Sequence, residues 1–147
     1  MTTNSAILLV EDNEDDVFLM KRALKAAGIS NRLCIAEDGQ QAVDYLSRSG
    51  PYADKEAFPE PAIVFLDLKL PLRSGLEVLM WIRERPELAN LVVVVLTSSN
   101  LPTDLREAYR LGANSYVVKP PTAVQLTDLA KAFKWYWLEY NQFESAQ

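Results

Sequence analysis

Five residues have types and positions that could act together on one substrate. Three carboxylates (Glu11, Asp12 and Asp67), the hydroxyl of Thr97 and the ammonium of Lys119 each follow a short apolar run. Asp67 is the hardest to dismiss: it interrupts Ile63-Val64-Phe65-Leu66-Asp67-Leu68, and a buried carboxylate costs several kcal/mol unless something compensates it. Like charges about 4 Å apart repel by roughly 4 kcal/mol at an effective dielectric near 20, so three carboxylates facing one lysine require a divalent cation. Ligands that are all oxygen select a hard ion, and few carboxylates completed by water and phosphate favour Mg²⁺ over Ca²⁺. The ion and Lys119 would neutralise the oxygens of a phosphoryl group passing onto the Asp67 carboxylate, and Thr97 could donate a hydrogen bond to the same oxygens. Singly, each residue also has a plainer reading. Glu11 and Asp12 could serve a helix N-terminus, Thr97 a turn, Lys119 the surface and Tyr116 the core.

These residues need a scaffold that gathers strand ends. The runs Ala6–Val10, Arg32–Ala36, Ala62–Leu66, Leu91–Leu96 and Ser115–Val118 are short and nearly continuous in Val, Ile and Leu, the pattern of strands buried on both faces. Between them, helical spacing predicts helices over Glu14–Ala27, Gly39–Arg48, Gly75–Arg85, Pro102–Leu111 and Thr122–Tyr140, with Gly28 and Gly112 closing the first and fourth. Strict alternation implies an α/β fold with a parallel sheet and helices on both faces. In such a sheet the ligand site lies beyond the carboxyl ends of the strands, where all five residues fall. Gly50–Pro61, with three prolines, two aromatics and four charges, reads as a structured surface loop.

The remaining composition excludes whole classes of chemistry. With no histidine, the chain alone can build neither Ser-His-Asp catalysis nor a histidine metal site. The single cysteine, Cys34, rules out an intrachain disulfide and sits in an apolar context, as a buried small hydrophobe would. A net charge of −5 without a basic cluster argues against nucleic acid. Neither a signal-like start nor an apolar run near 20 residues is present, so the expectation is one cytoplasmic domain that does not bind a membrane.

Taken in order, these marks resemble the receiver domains of two-component response regulators. They are Glu11-Asp12 after the first strand, Asp67 after the third, Pro71 and Gly75 in the next loop, Thr97-Ser98, Tyr116, and Lys119-Pro120. The resemblance spans about residues 5 to 130 and implies a flavodoxin-like five-stranded sheet of order 2-1-3-4-5. It implies that Asp67 accepts a phosphoryl group from a phosphohistidine on a sensor kinase. Mg²⁺ would be held by Asp12, Asp67 and the main-chain carbonyl of Lys69, with Glu11 contributing directly or through water. Lys119 would contact the phosphoryl oxygens and join Pro120 by a cis bond. Ser98 would leave room for phosphate, while Thr97 and Tyr116 would turn inward as a switch. Departures from the family pattern are Glu-Asp in place of the commoner Asp-Asp, Leu91 where many members carry proline, and Pro121 after the Lys-Pro pair.

One domain fills the sequence, a core over about 5–130 and an extension over about 131–147, so output is expected through contact and not through an attached effector. Phe133, Trp135, Tyr136, Trp137, Tyr140 and Phe143 are six of the fourteen aromatics. At about 100° per residue they spread around most of a helix, which points to a homodimer built on that helix. The loop at 50–61 and the aromatic tail look like the stand-alone regulators paired with bacterial phytochromes, which would make the phosphodonor a light-sensing histidine kinase. Two other classes fit less well. A haloacid dehalogenase-type phosphatase needs a second Asp at position 69, which is lysine, and a flavodoxin-like cofactor binder would meet repulsion from the acids of Glu11–Asp16. A receiver acting only as a phosphorylation-independent docking module is the remaining alternative. A small phosphodonor separates it from the switch.

Overall fold

The computed structural model describes residues 5–143; the first four residues and the end of the expected extension, 144–147, lie outside the described residues. Five strands, β1 (Ala6–Val10), β2 (Leu33–Ala36), β3 (Pro61–Leu66), β4 (Val92–Thr97) and β5 (Ser115–Val118), form one parallel sheet in the order β2-β1-β3-β4-β5. The helices are α1 (Glu14–Ala26), α2 (Gly39–Ser47), α3 (Gly75–Arg83), α4 (Pro102–Arg110) and α5 (Ala123–Phe133).

Alternation along the strands divides the core in two. Leu8, Val10, Val64, Leu66, Val93 and Val95 face α2, α3 and α4. Ile7, Leu9, Ile63, Phe65, Val92, Val94 and Leu96 face α1 and α5. Both faces are therefore dry, which is why the central strands read as unbroken apolar runs. Each fully buried aliphatic side chain contributes about 1.5–3 kcal/mol. Strand order reverses between β1 and β3, and their carboxyl ends deliver Glu11-Asp12 and Asp67 side by side.

Local chemistry sets the helix ends. Asn13 caps α1 by accepting from Asp16 N–H (3.0 Å). The helix closes where Gly28, at φ +78°, lets Ile29 N–H reach back to Leu24 O (2.9 Å). Ser74 and Glu77 form a capping box at the start of α3. The 50–61 loop opens with a 3-10 turn, Gly50–Ala53, and sends Tyr52 and Phe58 back onto Tyr45, whose hydroxyl donates to Pro59 O at 2.6 Å.

The last helix differs from expectation. It is α-helical only to Phe133 and continues as a π-helix over Lys134–Tyr140, closed by Asn141 N–H donating to Tyr136 O (2.7 Å). In an α-helix, residues five apart lie about 140° apart; i→i+5 bonding draws them together, so Phe133 and Leu138 are both buried against the sheet. Phe133 is thus a core residue, 4.9 Å from Phe65 between ring centroids, and not part of an exposed interface. Trp137 is half-buried on the same cluster, while Trp135, Tyr136 and Tyr140 are 55%, 60% and 72% exposed. Among the described residues no helix is long and apolar enough to cross a membrane.

Candidate functional site

Backbone pairing carries the acids to one edge. Glu11 N–H continues the ladder by donating to Ala36 O (3.0 Å), and Asp67 N–H donates to Val10 O (3.1 Å). These bonds fix both side chains at the switch point, one residue beyond the Val10–Leu66 register pair. Glu11 and Asp67 are buried and Asp12 is exposed. Carboxylate oxygens of the three lie within 4.8 Å of one another. Asp67 Oδ1 accepts from Lys69 N–H (3.3 Å), which turns the exposed Lys69 along the rim. Gly75 makes this turn possible: a Cβ there would stand 2.1 Å from Asp67 O, and its N–H donates to Leu68 O at 2.9 Å.

Lys119 closes the site from β5. Its Nζ donates to Glu11 Oε1 (2.6 Å), Asp16 Oδ2 (2.9 Å) and Asp67 Oδ2 (3.0 Å), which uses all three ammonium protons. Burial pushes the Glu11 carboxyl up to about 7; the Lys119 bond opposes that rise and the Asp67 charge adds to it. Burial works to depress the Lys119 ammonium, yet its bonds to Asp16 and Glu11 and the Asp67 charge hold it above its ordinary value. The donor set fits a small hard dication. It is all oxygen, and the three clustered carboxylates and Asp16 have one ammonium, Lys119, among them.

Thr97 is fully buried as the last residue of β4, and its Oγ1 accepts from Ser99 N–H at 3.4 Å. Ser98 is exposed beside it. Tyr116 lies half-buried against the core and donates its hydroxyl to Ser99 O (2.9 Å); burial raises its phenol above the ordinary value. Glu11, Asp12, Asp67 and Lys119 thus converge as their positions at strand ends predict, with Thr97 on the same edge. The Lys119–Pro120 bond corrects the expectation: among the described residues no peptide is cis, so Pro120 is trans, the form an X–Pro bond favours by about 0.5–1 kcal/mol.

Two residues escape the sequence reading. Asp16 reaches Lys119 from the first turn of α1; the only hint was its place in a run of acids, of which any could have faced inward. Ser99 joins Thr97, Tyr116 and α4, since its Oγ donates to Asp104 Oδ2 (2.5 Å) and accepts from Leu101 N–H (3.3 Å).

A doubly wound sheet whose switch point gathers two buried carboxylates and an exposed one, with a lysine bonded to the buried pair, defines an α/β protein with an acidic site at the carboxyl edge of its strands. The response regulator receiver domain model matches residues 7–131, and the chain belongs to that family. It is 38% identical to response regulator Rcp1 of Synechocystis sp. over 90% of this chain and 88% of that protein. It resembles the crystal structure of the Mn²⁺-bound form of Rcp1 with a TM-score of 0.85 and 35% identity, covering 96% of this chain and 99% of that one. The phosphorylated cyanobacterial phytochrome response regulator RcpA matches with a TM-score of 0.89 and 34% identity over 97% and 99% of the two chains. A probable methanogenesis regulatory protein, FilR2 of Methanothrix harundinacea, is 39% identical over 92% of this chain and 85% of that one.

Proposed function

We propose that this response regulator accepts a phosphoryl group on Asp67 from the phosphohistidine of a sensor kinase in the cytoplasm. The observation that carries the reading is Lys119 Nζ at 3.0 Å from Asp67 Oδ2, with the oxygens of Glu11, Asp12 and Asp67 gathered within 4.8 Å. Transfer breaks the donor's P–N bond as an Asp67 O–P bond forms, and the histidine nitrogen leaves. Asp12, Asp67, the Lys69 carbonyl and Glu11 would hold Mg²⁺, which when bound offsets charge on the phosphoryl oxygens. Lys119 holds the opposite side of the acceptor and steadies the same oxygens. Thr97 and Tyr116, already linked through Ser99, would turn toward the modified Asp67 and relay its charge to the surface of α4, β5 and α5.

The likeness to the phytochrome response regulator RcpA supports a bacteriophytochrome as the kinase. The chain then works as one receiver domain, a core over about 5–130 with the aromatic extension beyond, and pairs with a second copy through Trp135, Tyr136 and Tyr140, whose rings stand in water. Incubation with acetyl phosphate and Mg²⁺ tests the central step. A mass gain of one phosphoryl group, absent in Asp67→Asn, is expected; no gain in the unaltered chain would leave only a phosphorylation-independent docking module.

A further inference from the structure

Asp16 takes one of the three Lys119 bonds, although no step of the proposed phosphotransfer uses it. The three acceptors differ in their surroundings. The Glu11 and Asp67 side chains are 4% and 9% exposed and belong to the acidic group, whereas Asp16 is 38% exposed on the first turn of α1. Its backbone is fixed by the Asn13 cap, so the carboxylate is presented to Lys119 by the start of the helix. Lys119 and a divalent cation compete for the same two buried carboxylates. An ammonium shared with a third acid competes less.

We propose that Asp16 is a positioning residue that acts on metal binding through Lys119. By drawing the ammonium toward the rim it leaves Glu11 and Asp67 negative enough to hold a dication. This inference rests on the metal-binding reading above. Removing Asp16 has two effects of the same sign: Lys119 closes more tightly on Glu11 and Asp67, and one negative charge leaves the site. For charges several Å apart at a partly wetted edge, the combined loss is about five- to tenfold in cation affinity.

Calorimetric titration of the full chain with Mg²⁺, repeated with Mn²⁺ by electron paramagnetic resonance, tests it. Asp16→Asn keeps the side chain's size and is expected to weaken binding about five- to tenfold, while Asp16→Glu stays within about twofold of the unaltered chain. Asp15→Asn removes the same charge from the exposed neighbouring position and is expected to change affinity less than about twofold. In a Lys119→Met background the effect of Asp16→Asn is expected to shrink below about twofold, the coupling that marks action through Lys119. At saturating Mg²⁺ the phosphorylation rate of Asp16→Asn is expected to return to that of the unaltered chain. Equal affinity in Asp16→Asn, an equal loss in Asp15→Asn, or an undiminished loss without Lys119 would overturn the proposal. Failure of the unaltered chain to bind either ion would overturn the metal reading itself, a distinguishable result.

Discussion

Replacing Gly75 with alanine tests whether close backbone packing places Asp67. The added Cβ would lie 2.1 Å from Asp67 O, 2.6 Å from Leu68 Cα and 2.9 Å from Asp67 C, against an ordinary contact of 3.4–4 Å. The nearest atoms are backbone, so no rotamer change relieves the contact and the chain must part by more than about 1 Å. Overpacking of this kind costs about 1–3 kcal/mol. Gly75 is the first residue of α3, and the better helix propensity of alanine returns at most about 1 kcal/mol. The clash therefore wins, by about 1 kcal/mol from the middle of that range, or roughly 2–4 °C in Tm for a domain of this size. The displaced atoms belong to the acceptor's own backbone, and a shift near 1 Å at a reacting group costs up to about a hundredfold in rate. Urea unfolding followed by far-ultraviolet circular dichroism reads the first effect, and initial rates with acetyl phosphate the second. Gly50→Ala is the contrast: nothing lies within 4 Å, but φ is +55°, so a strain of about 1–2 kcal/mol is expected with the rate unchanged. A Gly75→Ala protein with unaltered midpoint and rate would refute the argument that this contact places Asp67.

Chelation by EDTA is expected to abolish phosphorylation by acetyl phosphate, with recovery on adding Mg²⁺; full activity in EDTA counts against a metal-dependent step. Because Glu11 is raised from 4.5 to about 7, its favourable contribution in the metal-free protein is complete below pH 4.5 and lost as pH rises through 7. Stability in EDTA is therefore expected to fall between pH 5 and 8 by at most about 3 kcal/mol. Glu11→Gln flattens that slope in urea titrations at the two pH values. Phe133→Ala empties a core position and is expected to destabilise by about 3–5 kcal/mol, while Tyr136→Ala leaves stability within about 0.5 kcal/mol and shifts a dimer toward monomer in light scattering. If Phe133→Ala dissociates a dimer without loss of stability, the burial of its ring on Phe65 is not what holds the last helix down.

Much of the sheet is legible in the chain because its strands are dry on both faces. Leu8 and Val10 point to one layer of helices and Ile7 and Leu9 to the other, and only a nearly uninterrupted apolar run satisfies both. Asp67 is legible for the opposite reason: a carboxylate closing such a run needs a compensating charge, and Lys119, just after β5, supplies it. The aromatic tail misleads. A fixed 100° step puts its rings on all sides, and the widened π turn that returns Leu138 to the face of Phe133 has no local signature in Lys134–Tyr140.

Residue type and period were enough for the alternating elements, the acids at the first and third strand ends, and the lysine after the fifth, because each follows from short-range geometry and the cost of burying charge. They could not choose among Glu14, Asp15 and Asp16. Those neighbours differ by a rotation of about 100° each, and which one meets Lys119 depends on where Asn13 starts α1 and how that helix lies on the sheet. The sharing of one ammonium among three carboxylates, the farthest of them 108 residues from Lys119 in sequence, is likewise a product of strand register and helix packing. Those are relations between distant segments that no local pattern encodes.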